Sequence, residues 1–121
     1  MPPENRDLSY LWDILESATA VVDKLRDTGL PQYLADEDLR LLAERRIEII
    51  GEAARRLSES FRIAHSEIPW RLIIGMRNVL VHEYDEIDHE RVWRLVKEEM
   101  PLLIRKIRAL SPSEPEDGAG E

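Results

Sequence analysis

Residues 70–84 read WRLIIGMRNVLVHEY, and no other stretch of this chain says as much about its fold. Trp70, Ile73, Ile74, Met76, Val79 and Leu80 carry a helix that is apolar on most sides. Pro69 suits its first turn, where the missing N–H is not needed. Such a helix belongs at the centre of a bundle or against a second subunit rather than on the surface.

Outward from this segment the pattern stays helical. Before it, Asp36 can cap a long helix with the stripe Leu39, Leu42, Ile47, Ile50, Ala54, Leu57 and Phe61, which fades near His65. Gly51 interrupts that helix at a cost of about 1 kcal/mol against alanine, so its expected use is to let another backbone come close. Earlier still, Leu8, Leu11, Ile14, Leu15, Ala18, Val22 and Leu25 recur at three-to-four spacing until Gly29 and Pro31 break the run. After it, Asp88 can cap a helix whose stripe from Val92 to Leu110 passes straight through Pro101, which predicts a kink or two abutting helices. No segment alternates with a two-residue period long enough to suggest a sheet. The expected fold is all-α, an antiparallel bundle of four to five helices forming one domain over residues 1–111. Residues 112–121, PSEPEDGAGE, hold four acids and nothing to bury, and read as a disordered acidic tail.

The composition narrows the chemistry. The chain has 121 residues, 43% of them hydrophobic and 35% charged, and no cysteine, which excludes disulfides, thiolate metal sites and cysteine nucleophiles. No apolar run approaches a membrane span and the first residues lack a signal-peptide pattern, so a cytoplasmic protein is expected. A net charge of -8 argues at first against nucleic acid. Half of that excess lies in the tail, however, and most of the basic residues are arginine, so a local phosphate site inside an acidic protein stays open.

Arg77, Asn78, His82 and Tyr84 are polar members that interrupt the otherwise apolar 70–84 segment. Arg77 and His82 are five apart, about 140° of rotation on a regular helix, so they do not share one face. The geometry improves if the helix ends near His82, or if two copies meet through this helix around a common cleft, which predicts a two-fold dimer. Metal-free RNA cleavage needs a proton-transfer group near neutral pKa and a fixed cation beside the phosphate, roles that His82 and Arg77 fit. The competing reading is structural: an arginine and a histidine bonded to helix-end carbonyls or nearby carboxylates, with Tyr84 an amphipathic residue whose hydroxyl meets water.

Other residues carry less. Arg45, Arg46, Arg55 and Arg56 could extend a basic path for RNA, but ion pairing with Glu48, Glu52 and Glu59 explains them better. Glu52 could orient Arg77 or lie on the surface. The acids and histidines of HEYDEIDHE, residues 82–90, fit no standard metal spacing, and no metal or cofactor is expected. His65 and His89 read as solvent-facing.

The strings IGEAARRL (50–57), IPWRLIIGMRNVLVHEYDEIDHERVW (68–93) and MPLL (100–103) resemble the HepT family of the HEPN superfamily, from Leu8 to about Leu110. Its members are ribonuclease toxins paired with a MntA-type nucleotidyltransferase antitoxin. The resemblance implies a HEPN-like bundle, a homodimer formed through the motif-bearing helix, and RNA rather than DNA as substrate. It makes Arg77 and His82 the catalytic pair of an R-x4-H-x-Y motif and Asn78 the supporting polar residue. It makes Tyr84 the hydroxyl that the antitoxin modifies with AMP from ATP. A rival implication is a non-catalytic helical partner that supports a minimal nucleotidyltransferase.

Overall fold

The computed structural model describes residues 3–80 and 87–110. His82, Tyr84 and the acidic tail lie outside the described residues.

Two long helices set the frame. Helix α1 (Pro3–Lys24) lies along α3 (Glu37–Arg56) over a more extensive contact than any other pair of elements. They run antiparallel: Asp7, near the start of α1, meets Ser58 just past the end of α3, and Ser17 accepts from Arg46 nearer its start. The core between them holds Leu11, Ile14, Ala18 and Val21 from α1 and Ala43, Ile47, Ile50 and Ala54 from α3. These recur at three-to-four spacing, as burial of one helical face requires. Helix α7 (Met100–Arg108) closes the other side of α1 with Leu103, Ile104 and Ile107.

Side-chain capping explains several of the helix starts. The Asp36 carboxylate accepts from the Leu39 N–H at the start of α3, and the Asp88 carboxylate accepts from the Arg91 N–H at the start of α6 (His89–Arg94). Both caps are those expected from the sequence. Lys97 finishes α1: its Nζ donates to the carbonyls of Leu25 at 2.6 Å and Arg26 at 3.0 Å, putting a cation on the negative end of that helix.

The expected helices are broken into shorter pieces. Leu30–Ala35 forms a short α2 where only a break was expected. The stripe running from Leu39 to Phe61 is two helices, α3 and α4 (Glu59–Ala64). Leu57 turns extended between them, and Ser58 caps α4 by accepting from Phe61 N–H. The buried Asp7 carboxylate fixes this corner, accepting from Ser58 N–H at 2.9 Å and Ser58 Oγ at 2.7 Å. At Pro101 the second of the two expected forms is found, abutting helices. Residues Leu95–Glu99 form a π-helical turn, and α7 starts immediately afterwards with Pro101 in its first turn, where no N–H is required. No strand occurs among the described residues.

The third segment differs most from expectation. Helix α5 spans only Trp70–Ile74, and Gly75–Leu80 continues as a 3₁₀ helix. It is not the centre of the bundle: it rests on α3 with one face, burying Trp70, Ile73 and Met76, while Leu72 is 57% exposed. The i, i+3 spacing of the buried residues is what a tightened helix lying on one neighbour produces.

Candidate functional site

The 3₁₀ turn determines where Arg77 and Asn78 go. With about three residues per turn, Met76 and Val79 stack on the side facing the core, leaving Arg77 and Asn78 exposed beside each other. The arginine then folds back over α3. A Cβ built on Gly51 would stand 2.6 Å from Arg77 Cγ and 3.0 Å from Arg77 Cδ, well inside van der Waals contact. Gly51 is therefore a notch for the aliphatic stem of Arg77. The close approach expected of this glycine exists, and a side chain makes it, with the Ile74 carbonyl at an ordinary 3.5 Å.

Beyond the notch the guanidinium meets Glu52. Arg77 Nη1 lies 3.5 Å from Glu52 Oε1, near enough for charge attraction and too long for a good hydrogen bond. The short bonds to that carboxylate come from Arg55 Nη2 at 2.9 Å and Arg56 Nε at 3.0 Å, both from one turn further along α3. These two bonds, Arg56's first, hold the Glu52 carboxyl below its usual pKa and keep it ionised. Among the described residues Glu52 is the only acid paired with Arg77. The side chain of Arg77 is 44% exposed, so its N–H groups point at a site open to solvent.

Arg77 stands at the edge of a cleft of about 420 Å³ between α1 and α3. Tyr10 and Asp13 line one wall, and Arg45, Glu48, Glu52 and Arg56 the other. Burial, with Glu16 nearby, raises the pKa of Asp13. Glu52, and after it Tyr10, raises the pKa of the Arg56 guanidinium. No sequence signal placed Tyr10 and Asp13 here, because only the antiparallel packing of α1 on α3 brings them to Arg77.

Residues 14–110 match the Ribonuclease HepT-like family. The chain belongs to this family. Among its HepT-like relatives, a Methanocaldococcus jannaschii protein named "Putative RNase MJ1380" is 35% identical over 82% of this chain and 91% of its own length. A "Probable ribonuclease HepT" of Thermococcus cleftensis is 36% identical over 84% of this chain and 92% of its own. A "tRNA nuclease HepT" of Aphanizomenon flos-aquae is 25% identical over 71% and 77%. No solved structure was found to match.

The remaining candidates fall into place around the HepT-like scaffold. Arg45 pairs with Glu48 at 3.5 Å, and Arg55 and Arg56 with Glu52, the ion pairing that was the better explanation of these arginines. Arg46 instead donates to Ser17. His89 is not solvent-facing: its side chain is 26% exposed, with Nδ1 3.6 Å from Glu44 Oε2. It joins α6 to α3 beside Tyr33, whose burial pushes its hydroxyl pKa up to about 12. His65 is half-buried, its ring 4.5 Å from that of Phe61. Most of the 82–90 acid and histidine run lies outside the described residues, and no group of metal-ligating side chains gathers among the rest. No described helix is long and apolar enough to cross a membrane.

Proposed function

We propose that this chain is the toxin of a toxin–antitoxin pair, a metal-independent endoribonuclease in which Arg77 and His82 of two protomers line one cleft. The observation that carries this reading is the seat of Arg77. Its stem is laid into the Gly51 notch, its carboxylate neighbour bonds two other arginines in the free protein, and its guanidinium faces solvent beside a cleft. Among the described residues its guanidinium makes no short bond to a carbonyl or carboxylate, so the side chain is held at its base and open at its tip.

The chemistry follows from that placement. The ribose 2′-hydroxyl attacks the adjacent phosphorus, forming the 2′-O–P bond as the bond to the 5′-oxygen breaks. His82 takes the attacking proton or gives one to the departing oxygen. Arg77 binds the phosphoryl oxygens, which gain charge in the phosphorane, and is worth most there because the guanidinium is already oriented. The products are a 2′,3′-cyclic phosphate and a 5′-hydroxyl. DNA lacks the nucleophile and is not a substrate. Asn78, exposed beside Arg77, supplies a further hydrogen-bonding group. The relative named as a tRNA nuclease makes transfer RNA the first substrate to examine.

Control falls to Tyr84. Its hydroxyl attacks the α-phosphorus of ATP on a MntA-type nucleotidyltransferase, releasing pyrophosphate and leaving AMP on the tyrosine. The added negative phosphate and nucleoside bulk, two residues from His82, repel and occlude the RNA backbone.

Two experiments test the reading. Expressed without a partner, the wild type arrests growth and degrades RNA, and folded His82→Ala does neither; equal growth and equally intact RNA would refute the nuclease role. Incubated with the nucleotidyltransferase and ATP, the wild type gains whole AMP units in intact mass. A Tyr84→Phe protein with the same gain would refute the assignment to Tyr84.

A further inference from the structure

The cleft beside Arg77 is close to neutral along its length: Arg45, Arg56 and Arg77 face Asp13, Glu48 and Glu52. Among the described residues, positive charge exceeds negative only at the Glu52 end. There three guanidiniums, those of Arg55, Arg56 and Arg77, surround one carboxylate. All three are between 44% and 58% exposed, and Tyr10 borders the group. Arg56 and Arg77 contact the same carboxylate, so they stand no further apart than its width and two contacts.

We propose that this cluster is a subsite for a second backbone phosphate of the RNA, next to the phosphate that Arg77 attends. The proposal rests on the ribonuclease reading and deepens it by defining the substrate as a strand with at least two phosphates. Exposed ion pairs along a helix contribute little to stability, so Arg55 and Arg56 can turn from Glu52 to a phosphate at little cost. A phosphate offers each guanidinium a bidentate, charge-assisted partner. Glu52 keeps the free protein from holding three repelling cations together and limits the gain to a single phosphate. The neutral remainder of the cleft has no such excess, so the subsite is local rather than a long basic track.

The test uses the full chain and two non-cleavable 2′-O-methyl ligands, a dinucleotide with one phosphodiester and a trinucleotide with two, in titrations at several salt concentrations. The wild type binds the trinucleotide about tenfold more tightly, with a log–log salt slope steeper by about 0.7, the value for one more phosphate on a single strand. In Arg55→Gln/Arg56→Gln that preference falls to about twofold or less and the extra slope disappears. Arg26→Gln, in the turn after the end of α1 that lies roughly 16 Å from Asp13, keeps both. Equal affinity of the wild type for the two ligands would overturn the proposal, as would a folded double variant that retained the preference and slope. Because neither ligand is cut, loss of the subsite and loss of nuclease activity are read separately: the expected binding pattern with intact natural RNA would refute the nuclease reading alone.

Discussion

Replacing Gly51 with alanine separates the stability of α3 from the placement of Arg77. In a helix interior the change gains about 1 kcal/mol in propensity. Here the new methyl group would stand 2.6 Å from Arg77 Cγ and 3.0 Å from Cδ, where carbon atoms prefer about 3.5–4.0 Å. The clash falls on the middle of the side chain, so Arg77 must retreat by about an ångström. Half exposed, it can do so by leaving its rotamer at a cost of about 0.5–1.5 kcal/mol. The two effects nearly cancel, and urea unfolding should show Gly51→Ala within about 0.5 kcal/mol of wild type. In an Arg77→Ala background the clashing atoms are gone and the same change should stabilise by the full ~1 kcal/mol. Cleavage should respond differently. A displacement of about 1 Å can cost a factor of about 100 in rate, so Gly51→Ala should lose most of its activity while remaining folded. Equal stabilisation by about 1 kcal/mol in both backgrounds, or undiminished cleavage by Gly51→Ala, would refute the notch.

Asp7→Ala leaves the part-buried Ser58 N–H without its acceptor and should cost about 1 kcal/mol in urea unfolding. Glu52 has a depressed pKa in the folded protein, so its stabilising contribution is present above the ordinary value of 4.5 and is lost as pH falls through the folded one. Wild-type Tm should therefore drop more steeply below pH 4.5 than that of Glu52→Gln. Asp13 has the opposite sign: its pKa is raised by burial, so its ionised form opposes folding at neutral pH. Asp13→Asn should raise Tm at pH 7, and the gain should fade as pH falls through the carboxylate range around 3.8.

Local signals in the sequence carried the helical class, the Asp36 and Asp88 caps and the need for close approach at Gly51. A cap or a glycine acts over a few residues and is visible in those residues. The breaks within the stripes were hidden, because Leu57 and Phe61 stay in register across the α3–α4 corner. Only Asp7, 51 residues earlier, reveals why the chain turns at Ser58. The 3₁₀ turn after Gly75 was hidden for a related reason: residues three apart share a face in either kind of helix, so the apolar spacing of Ile73, Met76 and Val79 suits both. Arg77 and Asn78 were legible as polar interruptions of an apolar segment. The cleft was not, since Tyr10 and Asp13 reach Arg77 only through the packing of α1 on α3. His89 was misjudged because nothing near it in sequence points to Glu44, the partner that half-buries it.

The most direct test of the central claim is to analyse the ends of transfer RNA incubated with the purified chain and with its folded Arg77→Ala and His82→Ala variants. The account predicts new 2′,3′-cyclic phosphate and 5′-hydroxyl termini with the wild type and none with either variant. Intact RNA in the wild-type reaction, or the same termini from Arg77→Ala, would contradict it.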